Sequence, residues 1–279
     1  MNKLPGSKTK AKVWVVEQGR VRSRTDQLAT EEPLEIRLTS PPQTLAITMR
    51  TPGADFDLTA GFLYSESVIH QPDDISRMSY CVDPNLDGRQ QQNIINVTLR
   101  AGLRPHLKSL ERHFYTSSAC GVCGKASIEA LQLRGCPQIP TDLQISPEVI
   151  YSLPDKLQAA QGVFKATGGL HAAALFDWEG SLLRLREDIG RHNALDKLIG
   201  SAFLAGESPL SRHIVMVSGR SSFEILQKCL VAGVPIICAI SAPSSLAMAI
   251  AREFGVTLIG FLRKRRFNIY SGIERIKQP

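Results

Sequence analysis

The stretch from residue 213 to 262 reads HIVMVSGRSSFEILQKCLVAGVPIICAISAPSSLAMAIAREFGVTLIGFL, and it alternates short apolar runs with longer amphipathic ones. This pattern predicts strands at 213–217, 235–240 and 256–262, with helices at 221–232 and 244–254 between them. The first two strands are continuously apolar, which is typical of strands buried on both faces. The alternation predicts an α/β unit whose parallel or mixed sheet is covered by helices.

The residues that precede this stretch extend the same unit. The sequence Asp-Trp-Glu-Gly at 177–180 separates two strand-like runs, 171–177 and 182–186, and therefore predicts a β-hairpin. An amphipathic helix is predicted at 192–205. We therefore predict a C-terminal α/β domain that covers residues 156–279.

The first 115 residues have a different pattern and predict a smaller, β-rich N-terminal domain. One helix is predicted at 55–64, and residues 83–92 are predicted to form a loop or hairpin tip. Residues 116–155 are predicted to hold a cysteine-containing loop, a short helix and a proline-rich connector. Strands are predicted at 12–18, 34–38, 44–49, 78–82 and 93–99.

Composition limits the class of protein. A chain of 279 residues with 43% hydrophobic residues is ordinary for a soluble globular protein, and its apolar runs are too short to span a bilayer. The first residues lack an apolar signal region, and six cysteines do not suggest a disulfide scaffold, so we expect a cytoplasmic protein. The net charge of +7 favours anionic partners, but 6% aromatic residues and no RNA-binding signature argue against nucleic acid.

The sequence SSACGVCGK at 117–125 places two thiols three positions apart among small residues. A helical pattern follows it, so Cys120 and Cys123 are expected at or before a helix N-terminus. Free backbone N–H groups and the adjacent Lys125 favour the thiolate there. A thiolate attacks sulfur, exchanges disulfides or binds a metal, so the motif predicts sulfur chemistry or zinc.

A structural zinc site usually needs four protein ligands, and this chain has no second CxxC motif. Its six histidines never occur three to five residues apart. We therefore predict no metal site and favour a reactive cysteine pair, with a zinc-binding structural module as the open alternative.

Three turns follow the carboxyl ends of the predicted parallel strands, where open α/β sheets bind ligands. Small residues and serines at helix starts can hold a phosphate through free N–H groups and hydroxyls, and four consecutive cations follow the third strand. A single serine of this kind is usually an ordinary helix cap, and a run of cations is usually a solvated surface. Because all of these residues are expected at one sheet edge, together they predict a pocket for a phosphate-bearing cofactor. The predicted contacts are Ser218, Arg220, Ser241, Ser244, Phe261, Leu262, Arg263, Lys264, Arg265 and Arg266.

Two further segments, GGLHAAA at 168–174 and EDIGRHNALDK at 187–197, are candidates for the same pocket. In the functional interpretation His171, Arg191 and His192 form its polar wall. In the structural interpretation the second segment provides helix capping and an i, i+4 pair between His192 and Asp196. Both interpretations stay open here. Cys229 and Cys238 are predicted to be core thiols.

The motifs CGVCG, GGLHAAALF, REDIGRHNALDKLIG, VSGRSSFEILQKCLVAGVPIICAISAPSSLA and LIGFLRKRRFNIY stand in the order found in the FdhD family, which this chain resembles over most of its length. The resemblance implies an α+β protein whose C-terminal domain has a cytidine-deaminase-like mixed sheet with flanking helices. Zinc deaminases need His-x-Glu and Pro-Cys-x-x-Cys, which this chain lacks, so deamination is not expected. A nucleotide-binding hydrolase on this fold is the remaining alternative.

The resemblance also implies the function. The family consists of sulfur carriers, or sulfurtransferases, that formate dehydrogenase requires. They take sulfur from a cysteine desulfurase as a persulfide, here on Cys120 with Cys123 as its partner. They pass it to the molybdenum bis(molybdopterin guanine dinucleotide) cofactor, which is held by the segment that matches Phe261 to Arg266. This cofactor is a bound substrate, and we expect the protein to act as a homodimer.

Overall fold

The computed structural model describes residues 6–105, 131, 136, 139 and 143–278. Its first element is a two-stranded antiparallel ribbon, here called the β1–β2 ribbon, made of β1 (Lys8–Glu17) and β2 (Arg20–Ala29). Gln18 and Gly19 connect the strands and both have positive φ angles, as a two-residue hairpin turn requires. Both strands are mainly exposed, so no apolar face marks β2 in the sequence.

A four-stranded sheet with the order β4-β3-β6-β5 follows the ribbon. Its members are β3 (Glu32–Thr39), β4 (Pro42–Arg50), β5 (Ile75–Tyr80) and β6 (Ile94–Leu99), and β3 pairs with β6 in parallel. Between β4 and β5 lie helix α1 (Asp55–Ser65) and a 3-10 turn (Pro72–Asp74). The predicted loop at 83–92 instead ends in a short helix, α2 (Gly88–Gln92), because the Asp87 carboxylate accepts from the first backbone N–H groups.

The C-terminal half forms a six-stranded mixed sheet with the order β12-β11-β10-β9-β7-β8. The three central strands, β9, β10 and β11, are parallel, while β7, β8 and β12 run antiparallel to their neighbours. Strands β7 and β8 form the predicted hairpin. The predicted fold class, a mixed sheet with flanking helices preceded by a β-rich N-terminal part, is confirmed. The strands are β7 (His171–Phe176), β8 (Leu182–Asp188), β9 (Ile214–Val217), β10 (Ile236–Ala239), β11 (Thr257–Arg263) and β12 (Arg266–Ser271).

Helices cover both faces of the six-stranded sheet. Helix α3 (Pro147–Ala160) covers one face and packs on alternate side chains of the central strands. A larger core on the other face includes side chains of α1, of three later helices (Arg191–Leu204, Phe223–Val231 and Ser245–Glu253) and of the four-stranded sheet. The remaining elements are the short helix α4 (Gly162–Thr167), the helices α5 (Arg191–Leu204), α6 (Phe223–Val231) and α7 (Ser245–Glu253), and a 3-10 turn (Ile273–Arg275).

Helices α1 and α5 cross at very close range and join the two sheets. A Cβ atom added to Gly61 would lie 1.9 Å from the carbonyl oxygen of Asp196, and one added to Gly200 would lie 1.9 Å from that of Asp57. Only glycine allows the two backbones to approach this closely. The N-terminal and C-terminal parts therefore share one core, and α3 crosses the boundary predicted between residues 155 and 156. Within the described ranges, no helix is both long and apolar enough to cross a membrane.

Candidate functional site

The turns that follow the parallel strands contact one another at the carboxyl edge of the six-stranded sheet. The backbone N–H of Ser244 donates to the carbonyl of Ser221 at 3.0 Å, and the N–H of Phe261 donates to the carbonyl of Ser241 at 3.2 Å. Gly260 makes this approach possible, because a Cβ atom there would lie 3.0 Å from the Ser241 carbonyl. The sheet thus brings together the turns that follow β9 and β10 and places Phe261, near the end of β11, against the second of them.

The first of these turns lies against the beginning of β7. The hydroxyl of Ser218 accepts from the backbone N–H of Ala172 at 2.9 Å, and the N–H of Ser218 donates to the carbonyl of Ala172 at 2.9 Å. Because β7 runs antiparallel to β9, its first residue, His171, borders the turn. A Cβ atom added to Gly219 would lie 3.4 Å from the imidazole Nδ1 of His171 and would also contact the side chain of Arg191. Both side chains therefore border this glycine.

His171 stands in a cationic environment. Partial burial lowers its pKa, and the positive charges of Arg191 and His192 lower it further. The imidazole is therefore held in its neutral form at a pH where an exposed histidine would begin to protonate. A neutral imidazole can accept one hydrogen bond and donate another.

The N-termini of α5 and α6 meet beside this turn. The imidazole Nε2 of His192 lies 3.3 Å from the hydroxyl of Ser222 and 3.6 Å from the carboxylate of Glu224. The hydroxyl of Ser222 donates to Glu224 at 2.7 Å instead of capping its helix. His192 is the main cause of a pKa of about 2 for Glu224, so this carboxylate is ionised at any ordinary pH.

Two polar atoms at this edge are buried without a hydrogen-bond partner in the described part of the chain, namely the hydroxyl of Ser221 and the Nε of Arg191. Ser221 is completely buried. A buried donor without a partner is costly, so such groups usually meet a bound water or ligand. We call His171, Arg191, His192, Ser218, Ser221 and Ser222 the edge cluster.

Ser244 has an ordinary structural role, because its hydroxyl caps α7 by accepting from the backbone N–H of Ala247 at 3.1 Å. The side chain of Arg220 is exposed beside the edge cluster. The suggested pair between His192 and Asp196 is not formed: Asp196 is buried and binds the ammonium of Lys228 at 2.9 Å. His192 is thus left to face Ser222 and Glu224.

The four consecutive cations form the connection between β11 and β12, here called the basic tip (Arg263, Lys264, Arg265 and Arg266). All four side chains are exposed, and Lys264 has a φ of 52°. The side chain of Leu262, just before them, is buried in the core under α3 and is not available to a ligand, whereas Phe261 is partly exposed.

Arg265 leans from the basic tip onto α3. Its guanidinium lies 5.3 Å from the centre of the Tyr151 ring and 4.0 Å from the carboxylate of Glu148. Between α3 and the basic tip lies an open cleft of about 300 Å³. Among the described residues, the other three cations of the tip form no ion pair. The cleft is lined by Glu148, Tyr151, Ser152, Asp155, Lys264 and Arg265.

The predicted nucleophiles, Cys120 and Cys123, lie outside the described residues. Cys229 and Cys238 are fully buried, and burial raises the pKa of both thiols, which keeps them protonated and unreactive, as predicted for core thiols. The described residues contain no group of three or more metal-ligating side chains. The predicted contacts did not include Ser221, Ser222 or Glu224, although the first two belong to a predicted phosphate-binding turn. The Ser-x-Glu spacing at a helix start could have indicated the last two.

Comparison with known proteins assigns the chain to a family. The FdhD/NarQ family model matches residues 29–277. A protein of Streptomyces avermitilis named sulfur carrier protein FdhD is 51% identical over 267 residues, which is 95% of this chain and 94% of the relative. The protein of that name from Mycobacterium tuberculosis is 47% identical over 260 residues, covering 92% of this chain and 94% of the relative.

A solved structure has the same fold. The crystal structure of a protein from Desulfotalea psychrophila, described as a formate dehydrogenase accessory protein, matches with a TM-score of 0.74 and 25% identity. The match covers 97% of this chain and 99% of the other. The fold, the order of the motifs and the sequence matches agree, and the chain belongs to the FdhD/NarQ family.

Proposed function

We propose that this protein is a sulfurtransferase that carries sulfur as a cysteine persulfide and supplies it to the molybdenum cofactor of formate dehydrogenase. The observation on which the proposal rests most is the near full-length similarity to proteins named sulfur carrier protein FdhD. The CxxC motif supplies the chemistry that such a carrier needs, and a reducing cytoplasm would keep both cysteines as thiols.

In the loading step, the thiolate of Cys120 attacks the outer sulfur of a persulfide on a cysteine desulfurase. A sulfur–sulfur bond forms at Cys120 while the bond in the donor breaks, and the donor cysteine leaves as a thiolate. The exchange needs no external oxidant or reductant. The adjacent Lys125 favours the attacking thiolate.

Cys123 can take part in delivery in two ways. If its thiolate attacks the outer sulfur of the Cys120 persulfide, the persulfide moves to Cys123 and Cys120 leaves as a thiolate. If it attacks the inner sulfur, a Cys120–Cys123 disulfide forms and sulfide is released. The first route passes on sulfane sulfur. The second route releases sulfide, and the two electrons that reduce the sulfane sulfur come from the two cysteines, which become a disulfide.

The substrate that receives the sulfur is the bis(molybdopterin guanine dinucleotide) cofactor, which has two diphosphate groups. We assign its phosphates to the edge cluster and to the basic tip. The buried hydroxyl of Ser221 and the Nε of Arg191 would gain partners there, and neither α5 nor α6 is capped by its N-cap side chain. Two sets of cationic groups on one sheet edge suit a ligand with two separated diphosphates.

The cofactor is large relative to one sheet edge, and a second copy of the chain would add a second edge cluster and a second basic tip. We therefore propose a homodimer that delivers the sulfurated cofactor to formate dehydrogenase. The zinc-module alternative needs ligands besides Cys120 and Cys123, and the sequence has no second CxxC motif to supply them.

The persulfide is tested by mass spectrometry of the freshly purified protein after incubation with a cysteine desulfurase and ³⁵S-cysteine. We expect added sulfur on the peptide that contains Cys120 and Cys123, and reductant should remove it. Cys229→Ala is the matched control, because this thiol is buried and should not be loaded. A Cys120→Ala variant that still loads sulfur and still activates formate dehydrogenase would contradict the assignment of Cys120.

The cofactor site is tested with GDP, which has the guanine and diphosphate of each half of the cofactor. The triple variant Arg263→Gln, Lys264→Gln, Arg266→Gln should bind GDP about tenfold more weakly or worse, because charged hydrogen bonds to phosphate are lost. The control variant Arg77→Gln, Arg212→Gln, Arg252→Gln removes the same charge from exposed side chains elsewhere. If the two triple variants bind GDP with equal affinity, the basic tip is not part of the cofactor site.

A further inference from the structure

The β1–β2 ribbon takes no part in the candidate site, and all but its last residue, Ala29, precede the family match. Its ten-residue strands reach roughly 33 Å at about 3.3 Å per residue. Its base is held by a hydrogen bond between the hydroxyls of Thr9 and Thr30 at 2.8 Å and by packing of α4 on β2. A two-stranded ribbon is at best marginally stable by itself in water, so this one is expected to be covered by a partner.

The register of the ribbon divides its side chains between two faces. One face, here called the lysine face, contains no acidic residue. The opposite face has three arginines together with Glu17 and Asp26, and two of these arginines form ion pairs, Arg22 with Glu17 at 2.9 Å and Arg24 with Asp26 at 3.2 Å. The lysine face consists of Lys8, Lys10, Lys12, Trp14 and Val16 on β1 and Val21, Ser23, Thr25, Gln27 and Ala29 on β2.

The far end of the lysine face is apolar and exposed. Trp14 is 68% exposed, Val16 is 69% exposed and Val21 is 64% exposed, and Val16 and Val21 are directly paired across the strands. The ammonium of Lys12 lies 5.6 Å from the centre of the Trp14 ring. An exposed tryptophan with aliphatic neighbours is a suitable anchor for a protein partner, and the lysines beside it would form part of a polar rim.

We infer that the lysine face docks an acidic protein surface with an apolar centre, and that this surface belongs to formate dehydrogenase. The choice of partner rests on the proposed function. Charge complementarity selects an acidic occupant, since the lysines have no carboxylate on their own face. Single-stranded nucleic acid is disfavoured because it needs several aromatic platforms, and this face offers one tryptophan and two valines.

The test measures association of the full-length protein with purified formate dehydrogenase of the same organism, by biolayer interferometry at several salt concentrations. Trp14→Ala should weaken binding roughly 30-fold or more, as expected for a buried aromatic anchor. The triple variant Lys8→Gln, Lys10→Gln, Lys12→Gln should weaken it about tenfold at low salt and less as salt screens the charges.

The matched control is Arg20→Gln, Arg22→Gln, Arg24→Gln, which removes the same charge from the same ribbon on the opposite face. It should bind formate dehydrogenase within about twofold of the unaltered chain at 0.15 M salt, where charges more than about 8 Å apart are screened. All variants should keep the thermal transition of the unaltered protein and should load sulfur on Cys120 normally.

Unchanged affinity of the tryptophan and lysine variants, or equal losses for the lysine and arginine variants, would overturn the inference. The inference would also be overturned if the tryptophan and lysine variants bind a single-stranded oligonucleotide more weakly but bind formate dehydrogenase as well as the unaltered chain does. If the unaltered chain loads sulfur but does not bind formate dehydrogenase, both the docking inference and the partner in the proposed function fail. The persulfide assignment would then stand by itself.

Discussion

Arg50 and Asp55 form a fully buried ion pair in the N-terminal part. The guanidinium donates two hydrogen bonds to the carboxylate, at 3.1 and 3.0 Å, and the hydroxyl of Tyr80 donates a third at 3.2 Å. Burial and the adjacent Asp55 raise the pKa of Tyr80 to about 12, so it remains a donor at physiological pH. The guanidinium of Arg50 and the hydroxyl of Tyr80 thus both donate to the Asp55 carboxylate.

We predict that Asp55→Asn lowers the free energy of unfolding by about 3–5 kcal/mol, because it leaves a buried guanidinium uncompensated. The measurement is urea unfolding followed by circular dichroism. The double variant Arg50→Met, Asp55→Leu should recover most of the loss, since neither charge then stays in the core. A single variant as stable as the unaltered protein would show that the pair is not needed.

At the same scale, the sequence predicted part of the site. The serine turns and His171 could be placed because strands of a parallel sheet end at one edge, and their meeting is observed. The contacts of His192 with Ser222 and Glu224 could not be predicted, because they depend on how α5 packs beside α6. The burial of Ser221 was equally hidden, since a serine before a helix is usually exposed.

The crossing of α1 and α5 gives a prediction about elements. Gly61→Ala should lower the free energy of unfolding by about 1–3 kcal/mol or more, because the added methyl group would overlap the backbone of α5 and force the helices apart. Gly162→Ala in α4 is the control, since its Cβ atom would meet nothing within 4 Å.

The control should be neutral or more stable by up to about 1 kcal/mol, because alanine favours the helix more than glycine does. Thermal unfolding of both variants provides the comparison. A Gly61→Ala variant as stable as the Gly162→Ala variant would show that the helices separate easily and that the close crossing is not needed.

The elements that sequence patterns predicted are those with a strong burial signal. Strands β9 and β10 are entirely buried, so their runs are apolar, and α6 and α7 have one apolar face each. Strand β2 was missed because most of its side chains are exposed, and β12 was missed because it is a short strand at the sheet edge with no fully buried side chain. Helix α3 was underestimated because Pro154 lies inside it.

At the scale of the whole molecule, the shared core predicts cooperative unfolding. Side chains of the four-stranded sheet, such as Leu34, lie in the same cluster as Leu258 of the six-stranded sheet. Native-state hydrogen exchange should therefore give similar opening free energies for amides of β3 and β9. A β3 that opens at a clearly lower free energy, while β9 stays protected, would show that the two sheets unfold separately.

Arg275 is fully buried, and its guanidinium donates to the carbonyls of Ile139 at 2.9 Å and Gly255 at 2.6 Å. Close by, Ile145 pairs with Ile276 in a parallel bridge. The chain that follows the cysteine motif is therefore held at Ile139 and Ile145 beside the start of β11, the strand that ends in the basic tip. Under the proposed function, the segment that follows the CxxC motif and the strand that carries the proposed phosphate contacts are therefore anchored at the same place in the molecule.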